Sequence, residues 1–581
     1  MARPTTDDRD RAVRRRRLVA LGAIAAVVLI LGGLIFAATR GPDQEAVVRA
    51  YANAWRKSDF TAMYAVTSTA TRNTVPNAQA LAERFAAATK VTTAVSWEIG
   101  TPKDEGDGNF VIPVAVRTRA FGLIRGTVPI NVSEEGDTAR INWRAEDVFP
   151  GLRAGEELSR TTVMPPRADL LARDGTVLAA GPQRAGKAGA SAADIVGQLG
   201  PIQAADVGRA EALGYPADAQ VGQSGLERIL DERLSGTPGG TLKAGTRVLA
   251  TTTPRQAAPV RSTISVSVQE AAVTALAGRL GGITAVDPRT GEILAAAGVA
   301  FSALQPPGST FKIITASGAL EYNVTKFNAQ FPVETAATLS GVRLENSFGE
   351  ACGGSLTVSF AKSCNSVFAP LGAKLGPEKL VKTAEAFGFN QQLPIAGPAT
   401  PTIPPADQLG DDLDVGSTAI GQGKVQATAL TMDIVAATIG LGGRRPSVTM
   451  EHGKWRRAPT TKALSPTTAR QVEKLMEAVV KPGGTGTAAA ISGVRVAGKT
   501  GTAELRTVED CQADPTDPEA PPCPPADDPS NTTAWFTAYA PAGKGLPRAS
   551  VAVMLIGAGH GGDTAAPAAK PVLVAALKAT R

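Results

Sequence analysis

Histidine is almost absent from this chain: His452 and His560 are the only two in 581 residues. That scarcity argues against a serine hydrolase that relies on histidine as its base, and against a structural metal site. Cysteine is nearly as rare. There are four (Cys352, Cys364, Cys511 and Cys523), spaced too widely for a CxxC metal motif, and none precedes Cys352. Lipidation near the N-terminus is therefore excluded. A groove-lining basic patch is also missing. The formal charge of +7 is uneven, because residues 1–17 hold seven arginines against three aspartates, leaving only +3 for the rest. Nucleic acid is not an expected partner, and no cofactor or metal is expected. No internal repeat is visible.

The arginines abut LVALGAIAAVVLILGGLIFAA, residues 18–38, a stretch of 21 residues without charge. As a helix it matches the hydrocarbon thickness of a bilayer, about 30 Å. The preceding arginines place the N-terminus in the cytoplasm and the remainder outside. A cleaved signal peptide is the competing reading, since Ala37 and Ala38 are small. The apolar core is longer than a signal core of about 7–15 residues, so an uncleaved anchor is expected. A chain exported in this way can form disulfides. Nearest-neighbour pairing, Cys352–Cys364 and Cys511–Cys523, is one of three possibilities, with free buried thiols as the alternative.

Beyond the anchor, residues 43–90 read as helices, with Val47, Tyr51, Ala54 and Trp55 on one face. From Val95 the period changes to two, which suggests a small α+β domain ending near Pro150. Residues 151–258 are richer in Gly, Pro and Ala and hold two phrases without obvious chemistry, TVMPPRADLLARDGTVLAAG and VGQSGLERILDERLSGTPGG. The largest unit runs from about 259 to 581. Its hairpin GGITAVDPRTGEILAAAG and late strands VRVAGKTGTAEL, AWFTAYAP and ASVAVMLIGAG suit one antiparallel sheet flanked by helices. A Pro/Asp-rich stretch, 506–531, interrupts them.

Chemistry concentrates in three short patterns. In PPGSTFK, Ser309 opens a helix and Lys312 follows on the same face. A lysine can serve as base only when neutral, and burial or a second nearby cation lowers its pKa. Ser359-Phe360-Ala361-Lys362 matches the same SxxK pattern and stands as a rival. Next come Ser363-Cys364-Asn365 and then Lys499-Thr500-Gly501-Thr502. Each is weak alone. In the order SxxK, SxN, KTG they form a set associated with penicillin-interacting serine enzymes.

With these motifs the chain resembles the class B penicillin-binding proteins, the D,D-transpeptidases that cross-link peptidoglycan. VDPRTGEILAAA, IGQGKVQATALTM, GTGTAAA and WFTAYAP occur in the family's order. The two phrases of 151–258 resemble its pedestal, or dimerisation, domain. Residues 43–150 resemble the NTF2-like extension of methicillin-resistance-type members. The expected organisation is multidomain α+β: cytoplasmic tail 1–17, membrane helix 18–38, NTF2-like domain 43–150, pedestal 151–258 and transpeptidase domain 259–581. The glycosyltransferase block of class A relatives is missing, since Glu146-Asp147-Val148-Phe149 has the wrong spacing and no following histidine.

The resemblance selects Ser309 over Ser359 and implies a role for each motif residue. Ser309 attacks the penultimate D-alanine carbonyl and Lys312 takes its proton. Ser363 relays a proton to the leaving group, and Asn365 binds a substrate amide and helps place Lys312. Lys499 supplies the charge that keeps Lys312 neutral. Thr500 and Thr502, on either side of Gly501, bind the terminal carboxylate. Backbone N–H groups of Ser309 and Thr502 form the oxyanion hole. Implied partners are peptidoglycan stem peptides, β-lactams, the cytoplasmic membrane and a cell-wall glycosyltransferase complex. Ala168 and His560 depart from the family pattern, where glycine is common, and His560 reads as a loop residue. A class A β-lactamase is disfavoured because Glu385 lacks the ExxxN context. A low-turnover β-lactam sensor, a division scaffold or a D,D-carboxypeptidase are alternatives that retain the same motifs.

Overall fold

Residues 43–505 and 528–581 are described by the structure, a computed structural model. The basic tail, the apolar segment 18–38 and the pair Cys511 and Cys523 lie outside the described residues. Among the described residues no helix is long and apolar enough to cross a membrane.

The described residues form two units, and the stretch 151–258 contributes to both. The first unit holds 43–165, 202–219 and 237–255. It begins with four helices, α1 (Gln44–Arg56), α2 (Phe60–Ala65), α3 (Thr69–Thr74) and α4 (Ala78–Thr92). Each starts where a side-chain oxygen of Asp43, Asp59, Ser68 or Asn77 accepts a backbone N–H of its first turn. The buried stripe of α1 runs Val48, Tyr51, Ala52, Ala54 and Trp55, and Val47 is only half-buried. Strands β1 (Ala94–Ile99), β2 (Lys103–Gly106), β3 (Asn109–Thr118), β4 (Leu123–Glu135) and β5 (Thr138–Ile141) follow. They pair in the order β1-β3-β4-β5, with β2 also on β3. Period-two alternation in β3 turns Phe110, Ile112, Val114 and Val116 into the core. A second sheet joins β6 (Leu158–Val163), β7 (Gly239–Ala244) and β8 (Arg247–Thr252), with β7 in the centre.

The second unit holds 166–201, 220–236 and 256–581. The two phrases that carried no legible chemistry meet here. Arg167 pairs with Glu227 at 2.7 Å and Asp231 at 2.9 Å, and Arg184 reaches Glu227 at 2.6 Å. The carboxylates of Glu227 and Asp231 are buried, and a buried charge requires such a partner.

The central sheet of this unit consists of β9 (Gly281–Asp287), β10 (Glu292–Gly298), β11 (Ala497–Glu504), β12 (Thr532–Ala540) and β13 (Ala549–Ile556). Its order is β10-β9-β13-β12-β11, and every pairing is antiparallel. Sequence-distant strands therefore lie side by side, and among the described residues β11 is an edge. Helices α5 (Val266–Leu276) and α10 (Ala566–Ala579) pack together against the sheet. Helix α9 (Ala429–Gly440) also packs on β9, β12 and β13 and is buried along nearly its whole length. That burial explains why its sequence is apolar all round. Before it in the chain come α6 (Lys312–Glu321), α7 (Leu356–Ala361) and α8 (Asn365–Leu375). Lys312 opens α6, Ser363 lies between α7 and α8, and Asn365 opens α8.

Candidate active site

Three glycines let distant backbones touch around Ser309. Pro306 and Pro307 lead into a 3₁₀ turn, Gly308–Phe311, that runs directly into α6. Gly308 has φ +52°, and a Cβ there would lie 2.5 Å from the carbonyl oxygen of Thr502 in β11. Gly308 N–H donates to Gly421 O at 2.9 Å. A Cβ on Gly421 would stand 1.9 Å from Gly308 O. Gly501 is as constrained, since its Cβ would meet Pro307 O at 2.9 Å. The turn is thus wedged between the edge strand and the IGQG segment, and only glycine fits at the contacts. Ser309 remains half-exposed while Thr310, Phe311 and Lys312 are buried. Its hydroxyl makes no hydrogen bond among the described residues.

Lys312 and Lys499, both fully buried, converge on the same serine. Lys312 Nζ lies 2.7 Å from Ser363 O, 2.6 Å from Asn365 Oδ1 and 3.3 Å from Ser363 Oγ. Lys499 Nζ lies 2.8 Å from Ser363 Oγ and 2.9 Å from Thr500 O. Among the described residues neither amine has a carboxylate partner. Burial, reinforced by the Lys499 charge, holds the Lys312 amine well below the usual lysine range. Burial alone lowers Lys499 to about 7. The three oxygens around Lys312 accommodate either protonation state, and burial with the Lys499 charge favours the neutral one. In the neutral form the carbonyl and amide oxygens, which can only accept, take its two N–H bonds and leave the nitrogen lone pair free. Ser363 Oγ, accepting from Lys499, retains a proton to donate.

Ser363 sits in the left-handed region at φ +63°, immediately after α7, and Asn365 opens α8. Between them, Cys364 is bonded to Cys352 of the strand Cys352–Ser355, with Cα atoms 5.4 Å apart. Asn365 Nδ2 donates to Glu345 O at 2.7 Å, which fixes the amide oxygen towards Lys312. The rival pair does not make a site: Ser359 is fully buried inside α7 and Lys362 is exposed.

Thr500 and Thr502 lie on β11 beside Lys499. Thr500 Oγ1 is 2.6 Å from Thr485 Oγ1, and Thr485 N–H donates to Ala361 O at 3.2 Å. Thr485 therefore ties the edge strand to the end of α7. The sequence marked it only as part of a GTGT phrase. Two further residues went unnoticed. Phe368 places its ring 5.8 Å from Lys312 Nζ, and Phe360 places its ring 5.6 Å from Lys499 Nζ. The two rings meet edge to face, 5.7 Å apart. In a pocket without carboxylates they offer each amine an electron-rich face. Phe368, three residues after Asn365 on α8, was the findable one. Among the described residues no group of three or more His, Cys, Asp or Glu side chains could hold a metal ion.

The geometry supplies a hydroxyl, a lone pair held free, a proton relay and a cation along an open strand edge. The penicillin-binding protein transpeptidase domain model matches residues 281–574, and the penicillin-binding protein dimerisation domain model matches 61–247. Peptidoglycan D,D-transpeptidase PbpA of Mycobacterium tuberculosis is 34% identical over 305 residues, covering 48% of this chain and 56% of that protein. PbpA of Mycolicibacterium smegmatis is 35% identical over 301 residues, with the same coverage of each chain. The chain thus matches about half the length of these curated relatives. Among solved structures, the D,D-transpeptidase domain of a peptidoglycan glycosyltransferase from Eggerthella lenta aligns with TM-score 0.56 and 26% identity, over 72% of this chain and 99% of that one. PBPA from M. tuberculosis aligns with TM-score 0.53 and 25% identity, over 71% and 99%.

Proposed function

The chain belongs to the penicillin-binding protein transpeptidase family, and from that premise we propose that it is a peptidoglycan D,D-transpeptidase working through an acyl-enzyme on Ser309. The observation that carries this reading is the convergence of Lys312 and Lys499 on Ser363, with the half-exposed Ser309 in the turn that leads into Lys312.

The donor stem peptide adds as a strand to the open edge of β11, its backbone pairing by β-augmentation. Its terminal carboxylate meets Lys499 and the hydroxyls of Thr500 and Thr502. Ser309 Oγ attacks the penultimate D-alanine carbonyl as its proton passes to the Lys312 lone pair. Backbone N–H groups of Ser309 and Thr502 hold the oxyanion, a device worth about 10²–10³ in rate per donor. The C–N bond then breaks, and the proton returns through Ser363 Oγ to the departing D-alanine nitrogen. An amine of a second stem peptide attacks the ester and loses its proton to Lys312, and Ser309 Oγ leaves reprotonated. In a β-lactam the bond broken is the ring amide, and the acyl group stays on Ser309.

The same reading covers the rest of the chain. Residues 18–38 anchor it in the cytoplasmic membrane, with tail 1–17 inside and the catalytic domain outside. The support is the uncharged run and its flanking arginines. Residues 43–150 form the NTF2-like extension, supported by helices followed by an antiparallel sheet. Residues 151–258 serve as the pedestal of the domain 259–581. A glycosyltransferase partner supplies the glycan strands that this chain, lacking that block, does not polymerise.

Labelling with a fluorescent penicillin, followed by peptide mapping, tests the site. Label should map to Ser309 and vanish in Ser309→Ala; label retained, or mapped to Ser359, overturns it. Cross-linked dimer from a pentapeptide donor and an amine acceptor supports transpeptidation. Hydrolysis without dimer indicates a carboxypeptidase, and a single acylation without turnover indicates a sensor or scaffold.

A further inference from the structure

One ring contact joins two loops that the chemistry above leaves unused. Phe348 and His560 lie with ring centroids 4.5 Å apart at 53°. Phe348 is 72% exposed, and its backbone is left-handed at φ 59°, ψ 17°. That conformation is strained for a bulky residue. It persists because Asn346 pins the loop: its side chain donates to Glu334 O and Glu350 O and accepts from Ser366 N–H. The preceding residue, Glu345, accepts from Asn365. Phe348 is therefore carried by the wall that holds the SxN residues. His560 belongs to the opposite wall. The next residue, Gly561, lies so close to β11 that a Cβ would stand 2.3 Å from Gly501 O, and Gly561 N–H points to Thr502 Oγ1 at 3.4 Å.

We propose that Phe348 and His560 form an aromatic clasp across the mouth of the cleft and set which acyl donors Ser309 accepts by the bulk of their side chains. The inference rests on the Ser309 reading above. A strand that adds to β11 must run between that edge and the SxN wall, and the two rings are where those walls meet again. A donor with a small side chain passes beneath the clasp. A donor with a bulky branched or aryl group must part the rings and gives up their contact. The backbone strain at Phe348 fits this role, since strained residues held by their surroundings cluster at ligand clamps.

The experiment compares acylation rate constants of the full chain for two penicillins with one nucleus, 6-aminopenicillanic acid and a bulky aryl derivative. Phe348→Gly removes the ring at a backbone position that glycine prefers, and His560→Ala removes the partner from the other wall. Each variant should raise the bulky-to-small rate ratio about 3- to 10-fold, the range an aromatic pair is worth. The double variant should gain no more than either single one, because both break one contact. An unchanged ratio in both variants, equal changes for both penicillins, or gains that multiply in the double variant overturn the clasp. If the wild type takes neither penicillin at Ser309, the acyl-enzyme reading fails and the clasp with it; normal labelling with an unchanged ratio sinks the clasp alone.

Discussion

Lys499 Nζ lies 2.8 Å from the Ser363 hydroxyl that Lys312 Nζ approaches at 3.3 Å from another direction. Two buried amines share one oxygen, so protonating either disfavours protonating the other. In the proposed reaction the cation is kept by Lys499, which would meet the substrate carboxylate. That reading leaves Lys312 as the base.

The first consequence concerns pH. Lys499→Met removes the like charge, and the Lys312 pKa then rises towards the ordinary lysine value. Each unit of that rise costs about tenfold in neutral amine at pH 7. Acylation should fall by about 10²-fold at pH 7 and recover part of the loss as pH rises. In the wild type, kcat/KM should decline on the alkaline side at about 7, where free Lys499 loses its proton. A stopped-flow pH series on both proteins checks this. A variant whose profile merely scales down, without moving, sinks the assignment of Lys312 as base.

Removing the Cys352–Cys364 bond should slow acylation as well as destabilise the fold. The bond ties the middle of Ser363-Cys364-Asn365 to the strand Cys352–Ser355, beside a serine at φ +63°. The double variant Cys352→Ser, Cys364→Ser should lose about 2–4 kcal/mol of stability and acylate about 10-fold more slowly. Denaturant unfolding and penicillin kinetics measure the two effects. Unaltered kinetics in a destabilised variant would confine the bond to a structural role.

Gly308→Ala should abolish labelling at Ser309. The new methyl would sit 2.5 Å from Thr502 O, with backbone at φ +52°. Either the turn moves away from β11 or the strand is displaced, and in both cases the oxyanion donors separate. Loss of at least about 10²-fold in acylation rate, with the chain still folded by circular dichroism, is the expected result. Wild-type labelling would mean that the close contact is dispensable.

Asp433 offers a stability test away from the chemistry. Its carboxyl is buried in α9, accepts from Thr284 Oγ1 at 2.9 Å and is pushed up to about 7 by burial. Unfolded, it titrates near 3.8. Between those values the folded chain holds a proton that the unfolded chain has released. Stability from this group is therefore full below about 4, declines as pH rises to about 7, and stays at the lower level above. Asp433→Asn keeps an acceptor for Thr284 and removes the titration. It should melt several degrees higher than wild type at pH 8 and close to it at pH 4. Equal midpoints at pH 8 would exclude the buried acid as a source of instability.

Short, local patterns were legible, and contacts across the fold were not. Ser309, Lys312, Ser363, Asn365 and Lys499 were named from SxxK, SxN and KTG, and the structure brings both lysine amines to the Ser363 hydroxyl, with the Asn365 amide oxygen on Lys312. SxxK alone could not separate Ser309 from Ser359, because the difference lies in burial: Lys362 is exposed where Lys312 is enclosed. Phe360 and Phe368 carry no motif of their own, and only the helical spacing of Phe368 from Asn365 hints at an amine beside its ring. Gly421 and Thr485 matter through chain segments more than one hundred residues away. The same holds for Arg167, whose carboxylate partners lie sixty residues on. The stretch 151–258 reads as one module, yet its strands and loops divide between two units, a matter of pairing partners that periodicity does not reveal.

The wedged glycine turn also orders events in time. Gly308 rests on Thr502, and the strand carrying Thr502 is held in the sheet by residues 532–540, which themselves pair with 549–556. A ribosome must therefore pass residue 556 before the nucleophile has its surroundings. Partly made chains carry the serine but not the enzyme, so a half-synthesised protein meeting penicillin presents it with an unactivated alcohol.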